Sequence, residues 1–214
     1  MESKPVEVII ADDHVVVRTG LHLIFQEEGI QIKAEVNNGN DLLKILGQKR
    51  FDVAIVDLNM PGKDSISLLL EVRKQHPSLP IVIFTMSQDE NLASRLMQFG
   101  ISAYINKEDD SQEIVRAVKS AAKGEVYLTP RQKNFFSMQY VKGYDHNIPH
   151  DRLTDREYQI MCLMAKGKSN DEIAQKLLIS KNTFSNHRNN ILRKMKFSNI
   201  AELTTYAIKN HLIE

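Results

Sequence analysis

The run Val53–Val56 constrains this chain more than any other stretch. All of its side chains are apolar, most are β-branched, it stops abruptly at Asp57, and Pro61-Gly62 follow four residues later. A run without a polar face suits a strand buried on both sides, as in a parallel sheet covered by helices. Such strands deliver their last side chain to the carboxyl edge, where open α/β sheets hold their ligands. Asp57 is therefore a candidate site residue. Most aspartates that end strands merely end them, so the assignment depends on other polar groups reaching the same edge.

They do. Val6–Ala11 reads as a strand with Asp12-Asp13 at its end, Pro80–Thr85 as another closing on a hydroxyl, and Ala103–Ile105 as a short one with Lys107 just beyond. Gln31–Val36 completes five strands. Between and after them, helical spacing appears over Val15–Glu28, Asn40–Gln48, Ser65–Gln75, Asn91–Phe99 and Ser111–Lys123. Strict alternation predicts a five-stranded parallel, doubly wound (flavodoxin-like) α/β domain over residues 5–124.

From 125 to 150 the pattern loosens into a linker, partly helical around Arg131–Tyr140 and expected to be mobile over Lys142–His150. Residues 151–214 then read as an all-α domain of four short helices. Thr154 with Glu157, and Ser169 with Glu172, have capping-box spacing; Ser180 and Ser198 are the expected caps of the third and fourth helices. Helices this short and close match a helix-turn-helix.

Composition narrows the function classes. The net charge of +1 over 214 residues conceals an asymmetry. Residues 1–150 hold 17 Lys/Arg against 20 Asp/Glu, whereas residues 151–214 hold 11 against 7. The C-terminal part is thus the candidate for a polyanionic partner. No apolar run approaches a membrane span, and Met-Glu-Ser-Lys-Pro lacks a signal-peptide core. The single cysteine, Cys162, excludes an intramolecular disulfide or a cysteine-cluster zinc site; it sits in an apolar helical pattern. A cytoplasmic protein without membrane contact is expected.

Asp12, Asp13 and Asp57 at one edge repel each other, and a divalent cation relieves that repulsion. All-oxygen ligation suits Mg2+. Lys107 and the Thr85 hydroxyl are a point cation and a donor suited to a phosphoryl group, and an aspartate can accept phosphorus as an acyl phosphate. In order and strand context, Asp12-Asp13, Asp57 with Met60-Pro61, Thr85 and Lys107 resemble a response-regulator receiver domain. The resemblance implies that Asp57 is the phosphoacceptor, supplied by a sensor histidine kinase. It also implies Mg2+ held by Asp13, Asp57 and the Asn59 main-chain carbonyl, with Asp12 acting through water. Thr85 and Tyr104 would be the switch pair, and Lys107 would pair with phosphoryl oxygens.

The segment Ser180–Lys196 carries five basic residues and no acid. Phe184, Ile191, Leu192 and Met195 fall on one helical face; Asn182, Ser185, Asn186, Asn189 and Arg193 form the opposite one. Asparagine is a poor interior helix former, so its density here points to a surface kept for hydrogen bonding, although a merely solvated face can look the same. From Leu153 onward, Leu153-Thr-x-Arg-Glu157, Gly167-x-Ser-Asn-x-Glu-Ile-Ala174 and Ser180-x-x-Thr-x-x-x-His187 resemble a LuxR-type helix-turn-helix. Together the two resemblances are those of the NarL/FixJ class of transcription regulators. They imply double-stranded DNA as partner, Lys181–Lys196 as recognition helix, and a homodimer when active. Ser185, Asn186 and Asn189 are then candidates for base edges, and Lys181, Thr183, Arg188, Arg193 and Lys194 for phosphates, with Asn182 on the same face.

Two rivals remain at this stage. A phosphohydrolase using an aspartyl phosphate would want two aspartates two residues apart on its first strand, and here they are adjacent. A regulator of the same architecture working without phosphate would not require the complete acid set. The expectation is a regulator, not an enzyme.

Overall fold

The computed structural model describes residues 4–60, 65–88, 90–141, 149–177, 179–209 and 212–213. The expected turn at Pro61-Gly62, Leu178 of the turn before the third C-terminal helix, and Lys142–Ile148 of the expected mobile linker lie outside the described residues. The chain forms two compact units, Met1–Phe136 and Ser137–Glu214.

In the first unit β1 (Val6–Ala11), β2 (Ile30–Val36), β3 (Val53–Val56), β4 (Ile81–Thr85) and β5 (Ala103–Asn106) form one parallel sheet in the order β2-β1-β3-β4-β5. Every residue of β3, β4 and β5 is buried, which is why β3 reads as an unbroken apolar run and β4 is apolar up to Thr85. On one face Ile9, Val56 and Ile83 pack with Leu42 of α2 (Gly39–Leu46), Leu68 and Val72 of α3 (Ser65–Gln75) and Leu96 of α4 (Glu90–Gln98). On the other, Val8, Ile10, Ile55 and Val82 pack with Leu21 and Phe25 of α1 (Val15–Phe25) and Ile114 and Val118 of α5 (Ser111–Ala122). Each such fully buried Val, Ile or Leu side chain contributes about 1.5–3 kcal/mol of transfer free energy.

This unit continues past Gly124. Tyr127 N donates to Ser102 O at 2.8 Å, and helix α6 (Pro130–Val141) begins with Thr129 and Gln132 capping each other. Gln132 Nε2 then donates to Tyr104 O at 2.8 Å. These groups satisfy the backbone oxygens of Ser102, just before β5, and of Tyr104 within it, on an edge strand. Residues 125–136, assigned to the linker from sequence, are part of the first unit.

The second unit holds a 3-10 turn (Pro149–Arg152), α7 (Asp155–Ala165), α8 (Asn170–Lys176), α9 (Lys181–Met195) and α10 (Ile200–Lys209). Thr154/Glu157 and Ser169/Glu172 close complete capping boxes, and Ser180 Oγ accepts from Thr183 N. The fourth cap differs from expectation. Asn199 Oδ1, not Ser198, accepts from Glu202 N at 2.9 Å, because only Asn199 stands three residues before that amide. Cys162 is half-buried, its Sγ 3.8 Å from Leu212 O. Among the described residues no helix is long and apolar enough to cross a membrane.

Candidate functional site

The strand order reverses between β1 and β3, and the site forms at that switch point. Ala11 is in register with Val56, so the next residues on the two strands, Asp12 and Asp57, emerge side by side. Backbone bonds fix both: Asp57 N donates to Ala11 O at 2.8 Å and Asp12 N to Val36 O at 3.0 Å. β5 supplies the cation. Lys107 N donates to Thr85 O at 2.8 Å, and Lys107 Nζ lies 2.7 Å from both Asp12 Oδ2 and Asp57 Oδ2. All three side chains are nearly water-free, with 4% exposure for Lys107, 2% for Asp12 and 1% for Asp57.

One lysine cannot neutralise the cluster. Asp13 is about one-third exposed, and among the described residues no donor is aligned to hydrogen-bond its Oδ1. Asp12, Asp13, His14 and Asp57 each offer a ligand atom, all within 4.8 Å of one another. Excess negative charge on converging carboxylate oxygens, one of them without an aligned hydrogen bond, is a donor set that fits a divalent cation. Asn59 joins through its backbone, its N donating to Asp57 Oδ1 at 3.2 Å. Behind Asp12, Arg18 Nη1 donates to Asp12 O at 2.7 Å and Arg18 Nε to Glu35 Oε2 at 2.9 Å. The hydrogen bond from His22, then that from Arg18, outweigh burial and hold the Glu35 carboxyl below its usual range.

Thr85 and Tyr104 lie on neighbouring strands and address the same short loop. Thr85 Oγ1 accepts from Ser87 N at 3.4 Å, and Tyr104 OH donates to Ser87 O at 3.1 Å. Both side chains are buried. Arg131 at the start of α6 grips that loop from outside. Its Nε is 2.8 Å from Glu90 Oε1, and its Nη atoms donate to Gln88 Oε1 and Gln88 O at 3.2 and 3.3 Å. Sequence reasoning passed over Arg131 and Gln132, for which no local pattern signals a partner, and His14, which the adjacent double aspartate could have signalled.

In the second unit the two faces expected for α9 separate as read. Phe184, Ile191 and Met195 are buried and Leu192 half-buried. Lys181, Asn182, Thr183, Ser185, Asn186, Asn189 and Arg193 are exposed. Arg188 and Lys194 are half-buried. Lys194 Nζ is 2.6 Å from Glu157 Oε2, inside the α7 capping box, so part of its charge is already matched within the unit. Lys181 pairs with exposed Asp171 at 2.9 Å, a contact of little energy.

Residues 8–119 match the response regulator receiver domain, and residues 151–207 match the bacterial regulatory proteins of the luxR family. The chain belongs to the response-regulator family. It is a response-regulator transcription factor of the NarL/FixJ class, as the paired motifs imply. The regulator is 31% identical to the oxygen regulatory protein NreC of Staphylococcus carnosus, over 97% of this chain and 99% of that one. It is 30% identical to the transcriptional regulatory protein LiaR of Bacillus subtilis, with the same coverage. A solved structure of RcsB from Salmonella enterica serovar Typhimurium, bound to the promoter P1flhDC in the presence of phosphomimetic BeF3−, superposes with a TM-score of 0.70 at 28% identity, covering 94% of this chain and 97% of that one.

Proposed function

We propose that a sensor histidine kinase phosphorylates the regulator on Asp57, and that the acyl phosphate controls binding of α9 to double-stranded DNA. The observation that carries this reading is Lys107 Nζ, held 2.7 Å from both buried carboxylates where β1, β3 and β5 end together. An Asp57 carboxylate oxygen attacks phosphorus, the donor's phosphorus–nitrogen bond breaks, and the donor imidazole leaves. Mg2+ would be held by Asp13, Asp57 and the Asn59 main-chain carbonyl, with Asp12 acting through water, and would supply charge neutralisation on the transferring group. Lys107 exchanges a carboxylate for a phosphoryl oxygen, and Thr85 donates its hydroxyl to another. The reaction is stoichiometric self-modification in a cytoplasmic regulator, not turnover of an external substrate.

The switch acts through the loop that Thr85 and Tyr104 share. Moving Thr85 toward a phosphoryl group breaks its contact with Ser87, frees Tyr104 and displaces Gln88 from Arg131. Taking a 1:99 population to 99:1 requires about 5.5 kcal/mol of differential stabilisation. The Arg131 contacts oppose that change. Arg131→Ala is therefore expected to raise promoter affinity of the unphosphorylated regulator by about fivefold, equivalent to about 1 kcal/mol. Fluorescence anisotropy on promoter DNA without phosphodonor checks it, and a lowered affinity contradicts it.

On the DNA side, Ser185, Asn186 and Asn189, with Asn182 beside them, face base edges, and asparagine pairs bidentately with adenine. Lys181, Thr183, Arg188 and Arg193 face phosphates. Lys194 belongs first to the fold through Glu157. Arg193→Ala should weaken all sequences alike and lower the salt slope by about one. Asn186→Ala should cost about 1–3 kcal/mol at one base pair and relax preference there. Selection from a randomised duplex library with each variant checks the pair, and the reverse pattern contradicts the roles.

The whole reading is tested with beryllofluoride and MgCl2. Expected are homodimer formation and tighter promoter binding; unchanged self-association and unchanged affinity overturn it. In the RcsB complex, promoter DNA and the phosphomimetic occur together, which supports the same coupling here.

A further inference from the structure

We infer that His14 is a fourth side-chain ligand of the acidic pocket and tilts its selectivity from Mg2+ toward later first-row cations such as Co2+ and Ni2+. The inference rests on the reading that this pocket binds a divalent cation.

His14 occupies the N-cap position of α1 with an extended backbone, φ −86° and ψ 109°, but its ring makes no cap hydrogen bond. The ring turns back toward the aspartates instead. The backbone is pinned there, because His14 N donates to Asp12 Oδ1 at 2.8 Å. Its Nδ1 lies 2.9 Å from Asp13 Oδ1, 3.2 Å from Asp12 Oδ1 and 3.9 Å from Asp57 Oδ2. Ligands about 2.0–2.2 Å from one ion stand roughly 3.0 Å apart at the edge of an octahedron and roughly 3.5 Å apart at the edge of a tetrahedron. The His14 distances straddle that range. Nδ1 is within hydrogen-bond distance of Asp12 Oδ1, and a cation that took the place of the proton between them would find the ring nitrogen at coordinating distance from the same carboxylates.

Charge and access agree with this placement. Lys107 takes Asp12 Oδ2 and Asp57 Oδ2 on the inner side, while Nδ1 approaches Oδ1 atoms of Asp12 and Asp13 from the outer side. Lys107 and His14 thus do not compete for the same oxygens of Asp12. The ring is 57% exposed, so a hydrated cation can enter past it and keep waters on its open side. Mg2+ dehydrates reluctantly and gains little by exchanging water for imidazole. Co2+ and Ni2+ gain more from a nitrogen ligand, and they stand higher in the general affinity order. The same three carboxylates without His14 form a hard, all-oxygen site. With it, the pocket is mixed, and cations that load it other than Mg2+ are bound by this chain's own imidazole.

Isothermal titration calorimetry of the full chain with MgCl2 and CoCl2, without phosphodonor, separates the two cases, and visible absorption of bound Co2+ reports nitrogen ligation. The chain carries seven histidines, so Asp13→Asn identifies the heat that belongs to this pocket. Expected is a Co2+ affinity that falls on the order of tenfold in His14→Ala while Mg2+ affinity changes far less, with a shifted Co2+ spectrum. His14→Asn should behave as His14→Ala. Equal losses for both ions, or Co2+ binding and spectrum unmoved in both variants, overturn the role of His14 and leave the Mg2+ pocket standing. If Asp13→Asn alters binding of neither ion, the pocket itself is not a cation site and this inference falls with it.

Discussion

Asp57→Ala is expected to reduce labelling by acetyl phosphate to background and to leave promoter affinity indifferent to phosphodonor. No neighbour can take over. Asp12 is as deeply buried as Asp57 but turns one oxygen to Lys107 and the other to the His14 amide. Asp13 is partly exposed and lacks contact with Lys107 among the described residues. Asp12 and Asp57 each combine a Lys107 contact on Oδ2 with a backbone donor on Oδ1, but Asp12 Oδ1 also lies 3.2 Å from His14 Nδ1, which leaves Asp57 the less encumbered nucleophile. The structural consequence of neutralising it runs the other way. Two carboxylates share Lys107, so removing one charge relieves repulsion and leaves no buried cation unpaired. Asp57→Asn is expected to raise stability by about 1 kcal/mol, a gain of roughly 2–4 °C in melting temperature, while abolishing phosphorylation. Phosphoprotein gels and a thermal melt of the same preparations check both halves. Stoichiometric labelling of the variant, or a lowered melting temperature, contradicts the assignment.

The acidic pocket was readable in the sequence for a topological reason. In a parallel sheet every strand runs the same way, so residues just past apolar runs meet at one edge whatever their separation along the chain. Asp12, Asp57, Thr85 and Lys107 were legible as a group on that rule alone, and the buried strands carried it because their side chains left no choice of face. What stayed hidden depends on directions that no run of residues encodes. His14 belongs to the pocket through the backbone turn at Asp12–His14, which aims its ring. Arg131 and Gln132 meet the switch loop and Tyr104 only because the chain after α5 runs along the β5 edge. The last cap was legible and misassigned: an amide three residues on selects Asn199, and spacing alone rejects Ser198. On α9 periodicity separated the two faces, since burial follows helical geometry. It could not show that one exposed-looking lysine has a partner 37 residues away.

That lysine leads to the second large effect, Glu157→Ala, expected to destabilise the helix-turn-helix unit by about 2–4 kcal/mol. Glu157 is 4% exposed and accepts from Thr154 N at 2.8 Å, Thr154 Oγ1 at 3.0 Å and Lys194 Nζ at 2.6 Å. Alanine removes half of a capping box, opens a void and leaves Lys194, itself about one-third exposed, to swing into water. For a unit of this size the loss corresponds to a fall of order 10 °C or more in its own melting transition, and DNA binding should fail with it. Glu157→Gln keeps an acceptor for Thr154 and forfeits only the charge, so a smaller cost is expected. Acid acts on the same group. Burial raises the Glu157 pKa, but the Lys194 and Thr154 hydrogen bonds outweigh it and hold the carboxyl below its ordinary 4.5. The unfolded chain therefore takes the proton first as pH falls. The stabilisation is complete well above pH 4.5 and drains away below it, and Glu157→Gln should lose that part of the acid sensitivity. Lys194→Met decides where the lysine acts. A melting temperature lowered with the salt slope of DNA binding unchanged places its charge in the fold; an unchanged melting temperature with a slope reduced by about one places it on a phosphate.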